Sequence, residues 1–174
     1  PGTRSFRDFM SGKAERDRRR AYLRAATAMM VADIEWVAAQ WQPNDPDNFR
    51  AQLAATDAFE VMGRALHGVA SFASIELYGE RFSVALDSRS QEDEHSCFSD
   101  TTVQDLRSGL RGIRHFMHGQ FGDEALGPGL IGVIQLQAPA LADRLDKSLR
   151  DAEIGLDRID RPFDQLILAP DQDP

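Results

Sequence analysis

The chain has 174 residues, of which 42% are apolar and 28% charged, and its net charge is -8. That length suits one domain with a sizeable core, and the acidic balance argues against a nucleic-acid binder, whose electrostatic footprint is basic. A single cysteine forbids an internal disulfide, and no run is long and apolar enough to cross a membrane as a helix.

Residues 1–13 read as an arm, with Gly2 and Gly12 and no sustained period. The start at Pro1-Gly2, with neither Met nor a signal peptide, reads as a processed or trimmed end. From Ala14 the pattern turns helical. Leu23, Ala26, Met30, Ile34, Val37 and Trp41 fall at alternating steps of three and four, the spacing of a buried stripe. Arg16, Arg18, Arg19 and Arg20, beside Glu15 and Asp17, read as a solvated helix face. Pro43 and Pro46 then end the helix, because each biases its preceding residue away from helical geometry.

Asp47 or Asn48 is placed to cap a second, longer helix. On it Phe59, Met62, Leu66, Val69 and Ala73 share one face, and a neighbouring stripe through Phe72, Ile75, Phe82 and Leu86 widens the apolar arc. Gly63, Gly68 and Gly79 imply close packing or a local kink. The pattern fades at Asp87–Ser90, ahead of a polar loop, Gln91 to Thr102, that holds three consecutive acids, His95 and the only cysteine. Ser99 or Asp100 can cap the next helix, and Thr101-x-x-Gln104 has capping-box spacing.

That third helix carries Val103, Leu106, Leu110, Ile113 and Met117 on one face and stops at Gly119. His115 and His118, near its C-terminus, are placed to favour the helix dipole when charged. Gly127-Pro128-Gly129 marks a connection, Leu130–Leu136 a short apolar helix, and Pro139 the first turn of a last helix ending near Arg161. No strand pattern appears. The spacing predicts an all-α, up-and-down bundle of four main helices over residues 14–161, with 162–174 as a tail whose last residues, from Asp171, are disordered.

Continuing the second helix at about 100° per residue places Glu76 near the centre of the apolar arc and Glu80 at its edge. A carboxylate aimed into a bundle is costly unless it is paired, hydrogen-bonded or holding a metal, and bundle interiors build metal sites from inward carboxylates and histidines. Two readings stand: a metal or functional site, or a structural Glu neutralised by an arginine or bonded by Tyr22, Tyr78 or a Trp N–H. By the same phase His67 and Arg81 lie on the polar face. His95 is the histidine best placed for a site, because Asp93, Glu94, Ser96, Ser99 and Asp100 crowd it. Cys97, between Ser96 and Phe98, reads as packed and inert. The chain has no His-Glu-x-x-His and no Gly-x-Ser-x-Gly, and its cysteine has no evident base, so no peptidase machinery is visible.

The order Gln91-Glu-Asp-Glu-His-Ser-Cys-Phe-Ser-Asp100 resembles the signature loop of the imelysin-like family, bacterial envelope proteins also called insulin-cleaving metalloproteinases or iron-regulated proteins. Where that family usually continues Asn-Thr-His, this chain has Thr101, Thr102 and Val103. Pro1-Gly-Thr-Arg4 with Asp8-Phe9 is similar to the segment after the family's Gly-x-His-x-x-Glu motif. Glu76-Leu-Tyr-Gly-Glu-Arg81 is similar to its Glu-Leu-x-x-Glu-Arg helix, and Pro162-Phe163-Asp164 to its closing Pro-Phe-Asp. The match covers nearly the whole chain but only the later half of a family member, without the Gly-x-His-x-x-Glu motif itself.

The resemblance implies one half of a two-bundle protein of the bacterial periplasm, or one anchored to the outer membrane. It implies metal binding, with iron or zinc as the ion, a link to iron uptake, and a partner in the half bearing Gly-x-His-x-x-Glu. Glu76 is then the metal ligand. Glu80, Arg81, Asp93, His95, Ser99 and Asp100 surround it, orienting ligands or neutralising charge. A metallopeptidase, whose zinc ligands would come from the other half, is the alternative reading, and an interaction module without metal is the second.

Overall fold

The computed structural model describes residues 5–10 and 12–169, so the predicted disorder from Asp171 lies outside the described residues. The fold is all-α, a helical bundle whose only ladder among the described residues is a two-residue hairpin pairing Gln120 with Ala125 and Phe121 with Glu124. Contacts divide the chain into two units, residues 2–61 and 62–174.

In the first unit a short 3₁₀ turn, Phe6–Phe9, begins under Ser5, whose hydroxyl accepts from Arg7 N–H at 3.3 Å. Helix α1 (Ala14–Ala39) comes next and ends ahead of Pro43, as predicted. The turn beyond it is built on Asn48, which is 4% exposed. Its Oδ1 caps α2 (Phe49–Ala55) by accepting from Ala51 N–H at 3.0 Å, while its Nδ2 donates to Gln42 O at 2.7 Å. Trp41 packs edge-on against Phe49, with ring centres 5.5 Å apart. The long second helix expected from Asn48 is interrupted. Asp57 Oδ1 takes the N–H groups of Phe59 and Glu60, at 2.9 and 3.2 Å, and so starts a separate helix, α3 (Ala58–Ser71).

In the second unit α3 continues into a π-helical segment, Phe72–Ser83, and closes as α4 (Val84–Ser88), with Arg89 left-handed at φ 52°. After the acidic loop, α5 (Thr102–His118) carries the predicted stripe: Val103, Leu106, Leu110, Ile113 and Met117 are all buried. Then come α6 (Gly129–Gln137) and α7 (Pro139–Asp157), with Pro139 in its first turn. The segment read as a tail supplies one more turn, α8 (Phe163–Ile167). Phe163 and Ile167 are 1% and 2% exposed and join the core with Leu77, Ala85 and the α5 stripe. Two apolar residues four apart in a short stretch gave no period to read.

Two devices hold α5 and its neighbours in register. Gly119 and Gly129 are both left-handed, at φ 65° and 61°, and touch backbone to backbone. A Cβ on Gly129 would stand 2.3 Å from the His118 carbonyl carbon, so no side chain fits. At the other end, Arg107 of α5 terminates α7. Its Nη2 donates to the carbonyls of Leu156 and Ile159, both at 3.0 Å, and its Nε lies 3.3 Å from the Asp157 carboxylate. Carbonyls left open by the end of a helix are thereby satisfied from a neighbouring helix.

His118 shows where a dipole argument stops short. Its Nε2 lies 2.9 Å from Asp146 Oδ1, but without a well-aligned hydrogen bond. Burial, then the charges of Arg114 and Arg150, hold its pKa below the ordinary histidine value, with Glu153 opposing them. The ring therefore leans toward the neutral form, which forgoes the dipole attraction open to a charged histidine at a helix C-terminus.

Gly129→Ala is expected to cost at least about 3 kcal/mol, from left-handed strain plus a clash with backbone that cannot rotate away. Arg107→Met should cost about 1.5–3 kcal/mol, the range for hydrogen bonds from a charged donor, and Arg107→Lys should restore less than half of it. Urea unfolding of the full chain measures all three.

Candidate functional site

The segment that carries Glu76, Glu80 and Arg81 is not an α-helix. From Phe72 to Ser83 the backbone bonds skip five residues, and at its end Val84 N–H reaches Gly79 O. Local chemistry favours this. Ser74 Oγ donates back to Ala70 O at 2.7 Å, competing with the regular ladder, and Gly79 has no Cβ where one would press Ser74 O at 3.3 Å. Packing then fixes the widened turn. Leu77 sits against Gly109 of α5, where a Cβ would stand 2.8 Å from Leu77 Cδ1. Tyr78 stacks on Phe82 at 6.3 Å, and Phe82 packs on Phe163 at 5.8 Å.

The consequence corrects the phase argument. A π-helix turns less per residue than an α-helix, so the stripe through Leu66, Val69 and Ala73 passes to Leu77. Leu77 is 8% exposed, whereas the Glu76 side chain is 54% exposed. Glu76 therefore faces out of the core instead of into it, and Glu80 is exposed as well. Arg81 is the residue that Glu76 meets, with Nη2 3.7 Å from Oε2, and its guanidinium lies over the Phe72 ring at 5.5 Å. His67 is exposed, as its phase implied.

The acidic loop opens with a 3₁₀ turn, Gln91–Asp93, and leaves Asp93, His95, Ser99 and Asp100 exposed. Asp100 is left-handed at φ 56°, and its N–H donates to Ser96 O at 2.9 Å. The predicted capping box does not form. Thr101 is the N-cap residue of α5 but makes no side-chain cap; its hydroxyl donates instead to Asp105 Oδ2 at 3.0 Å. Ser96 Oγ donates to the same oxygen at 2.5 Å, and Ser96 N–H donates to the Oγ1 of Thr102, which is 1% exposed. Asp105 thus fastens the loop, from Ser96 to Thr101, to the first turn of α5.

Asp105 is also where the loop and the π-helix meet electrostatically. The Ser96 hydroxyl is the chief cause holding its carboxyl below the usual aspartate value; burial opposes, and the Thr101 hydroxyl and the charges of His95 and Arg81 assist. Of the predicted residues, the structure brings Arg81 into range of both Glu76 and Asp105, and His95 into range of Asp105. It leaves Glu80, Asp93, Ser99 and Asp100 as solvent-facing groups without a common centre. Two groups escaped sequence reasoning. Asp105 carried a usable signal, an acid in the first turn of a helix that opens with a hydroxyl residue. Glu94 carried none: among three adjacent acids it alone turns inward, 4% exposed, with an Oε1 that has no partner.

The peptidase M75 (imelysin) family model matches residues 1–174. The chain belongs to the imelysin family. No curated protein matches it. Within this imelysin chain, the segment with the family-like order Glu-Leu-Tyr-Gly-Glu-Arg is the π-helical one, and the signature loop is the one closed on Asp105. Long π-helical stretches are rare, and π-turns concentrate at functional sites.

Asp105 makes the loop sensitive to acid. Because its folded pKa is depressed, its stabilisation is complete above the ordinary aspartate value, about 3.9, and is lost as pH falls through the lower folded value. Ser96→Ala removes the strongest of its bonds. The expected outcome is an acid-unfolding midpoint shifted to higher pH than in the parent chain, read by circular dichroism.

Proposed function

We propose that this chain is half of a periplasmic or outer-membrane-anchored, metal-associated imelysin protein linked to iron uptake. Glu76 is the ligand it brings to a site shared with a partner half carrying the Gly-x-His-x-x-Glu motif. One observation supports this reading above the others: the π-turn directs Glu76 away from the core and leaves it accessible, with the Arg81 guanidinium at a long 3.7 Å. An accessible carboxylate on a rigid, packed turn can be completed by groups from another polypeptide, which a carboxylate sealed in the core could not be.

The residues present fit a metal as a part-site only. Among the described residues no three His, Cys, Asp or Glu side chains gather so that they could hold an ion. Glu76 offers carboxylate oxygens, and a partner's His and Glu one helical turn apart would add a nitrogen and further oxygens, a mixed shell that iron and zinc both accept. Arg81 is the local competitor for Glu76, and Asp105, on which its charge also acts, is the alternative partner to which a bound cation would turn it. Family membership supports the link to iron and the envelope location. No described helix is long and apolar enough to cross a membrane.

Calorimetric titration of zinc or iron(II) into the reassembled halves tests the proposal. Glu76→Gln is expected to weaken metal affinity at least about tenfold, the lower end for losing even a supporting group at a metal centre. Unchanged affinity in a correctly folded variant would overturn the assignment of Glu76, and no saturable metal binding by the reassembled parent halves would favour an interaction module without metal. Chelator-sensitive cleavage of an unstructured peptide by the same preparation would put the metallopeptidase reading first.

A further inference from the structure

Helices α5 and α7 carry charged side chains at matching intervals. On α5, Arg107, Arg111, Arg114 and His118 follow at steps of four, three and four, and on α7 Asp146, Arg150, Glu153 and Asp157 do the same. Such steps put each set along one helix face. The two sets meet in reverse order, as antiparallel helices require. Arg107 Nε lies 3.3 Å from Asp157, Arg114 Nη1 3.5 Å from Glu153 Oε1, and His118 Nε2 2.9 Å from Asp146.

The pairing is one anion short. In that register Arg111 and Arg114 both stand opposite Glu153, which bonds to Arg114 only at the long end of hydrogen-bonding distance. Among the described residues Arg111 has no hydrogen bond or ion pair, and the Arg114 Nε is buried without an acceptor. Between the helices lies a cavity of about 260 Å³, lined by these three arginines, Glu153 and Asp157 over a floor of Leu110 and Leu156. All of these residues belong to the second unit. Three cations against two carboxylates leave a net +1 there, in a chain whose overall charge is -8. Water can satisfy the N–H groups but cannot balance that charge.

We propose that this cavity binds a small oxyanion, a phosphate or carboxylate group, gripped by Arg111 and Arg114. Guanidinium forks match both groups with paired N–H···O bonds, and the apolar floor strengthens the attraction by lowering the local dielectric. The volume falls just below that of pockets for drug-sized molecules and suits a small anion. Arg107 takes no part in the grip, because its Nη2 and Nε are engaged at the end of α7. Neither Glu76 nor Arg81 lines the cavity, so the site stands apart from the proposed metal ligand.

Titration calorimetry of the full chain with inorganic phosphate, and separately with succinate, at constant ionic strength tests the site. One-site saturation is expected with a Kd below about 1 mM for at least one probe, and the tighter of the two names the source of the oxyanion. Arg111→Gln, a change at an exposed side chain with no described bonds to lose, should weaken binding at least about tenfold. Arg111→Lys should restore it only in part. Lys147→Gln, which removes a cation from another face of α7, should leave it unchanged. His118 gives a second readout. Arg114, Arg150, Asp146 and Glu153 act on its ring, α6 carries no charged residue, and the two arginines hold its pKa down. An anion on Arg114 offsets that cation, so the bound probe should raise the His118 pKa, followed by NMR, in the parent chain and not in Arg111→Gln. Failure of both probes to saturate, an Arg111→Gln chain that binds like the parent, or a Lys147→Gln chain weakened as much as Arg111→Gln would each overturn the proposal.

Discussion

With no Cβ on Gly109, Leu77 brings its Cδ1 to within 2.8 Å of the place a side chain would occupy, and that approach sets the phase of the backbone between Phe72 and Ser83. Burying Leu77 is worth about 1.5–3 kcal/mol, more than the few tenths that separate one exposed surface arrangement from another. The energetics therefore favour a turn that widens to keep Leu77 in, and Glu76 is carried outward with it. Tyr78, Phe82 and Phe163 continue the same seam, so that α8 is fastened through aromatic contacts to the segment that displays Glu76. Packing decides the direction of the carboxylate here, and the carboxylate has little say in the matter.

The same ordering of forces explains what the sequence made legible. The α5 stripe follows a regular 3.6-residue period, and Val103, Leu106, Leu110, Ile113 and Met117 are buried as read. Capping chemistry at Asn48, the stop at Gly119 and Pro139 in a first turn are local, and local rules suffice for them. Glu76 failed because phase accumulates. An argument that carries one period from Phe59 to Glu80 has no means of seeing a change of helix type at Phe72, and Gly79 read only as a possible kink. Phe163 and Ile167 failed for the opposite reason, since a single turn of helix is too short to show any period. Family order singled out the π-helical segment and the loop, without fixing which way their side chains point.

Arg107 and Asp105 lie two positions apart near the start of α5 and divide its work. Asp105 gathers the signature loop through Ser96 and Thr101, while Arg107 closes the end of α7 through Leu156 and Ile159. One helical turn thus fixes both the polar loop and the last long helix to a single reference. Residues two apart on a helix face different directions, which lets one turn anchor two elements without their side chains competing. Arg81 approaches this turn from the π-helix and lowers Asp105 by its charge, so the loop's anchor and the Glu76 environment share one cation.

That sharing has a chemical consequence for the proposed site. A guanidinium is permanently charged and can be neither deprotonated nor silenced, only moved. If a cation reaches Glu76, Arg81 loses the partner that held it and is repelled by the new charge, while Asp105, ionised and within its electrostatic range, becomes the stronger attractor. Movement of Arg81 toward Asp105 would then tighten the loop that Asp105 closes. The Phe72 ring permits such a shift at low cost, because cation–π attraction is spread over its face and does not demand one rotamer. The exposed carboxylate and the loop's anchor are linked through Arg81, which lies 3.7 Å from Glu76 and lowers the Asp105 pKa by its charge.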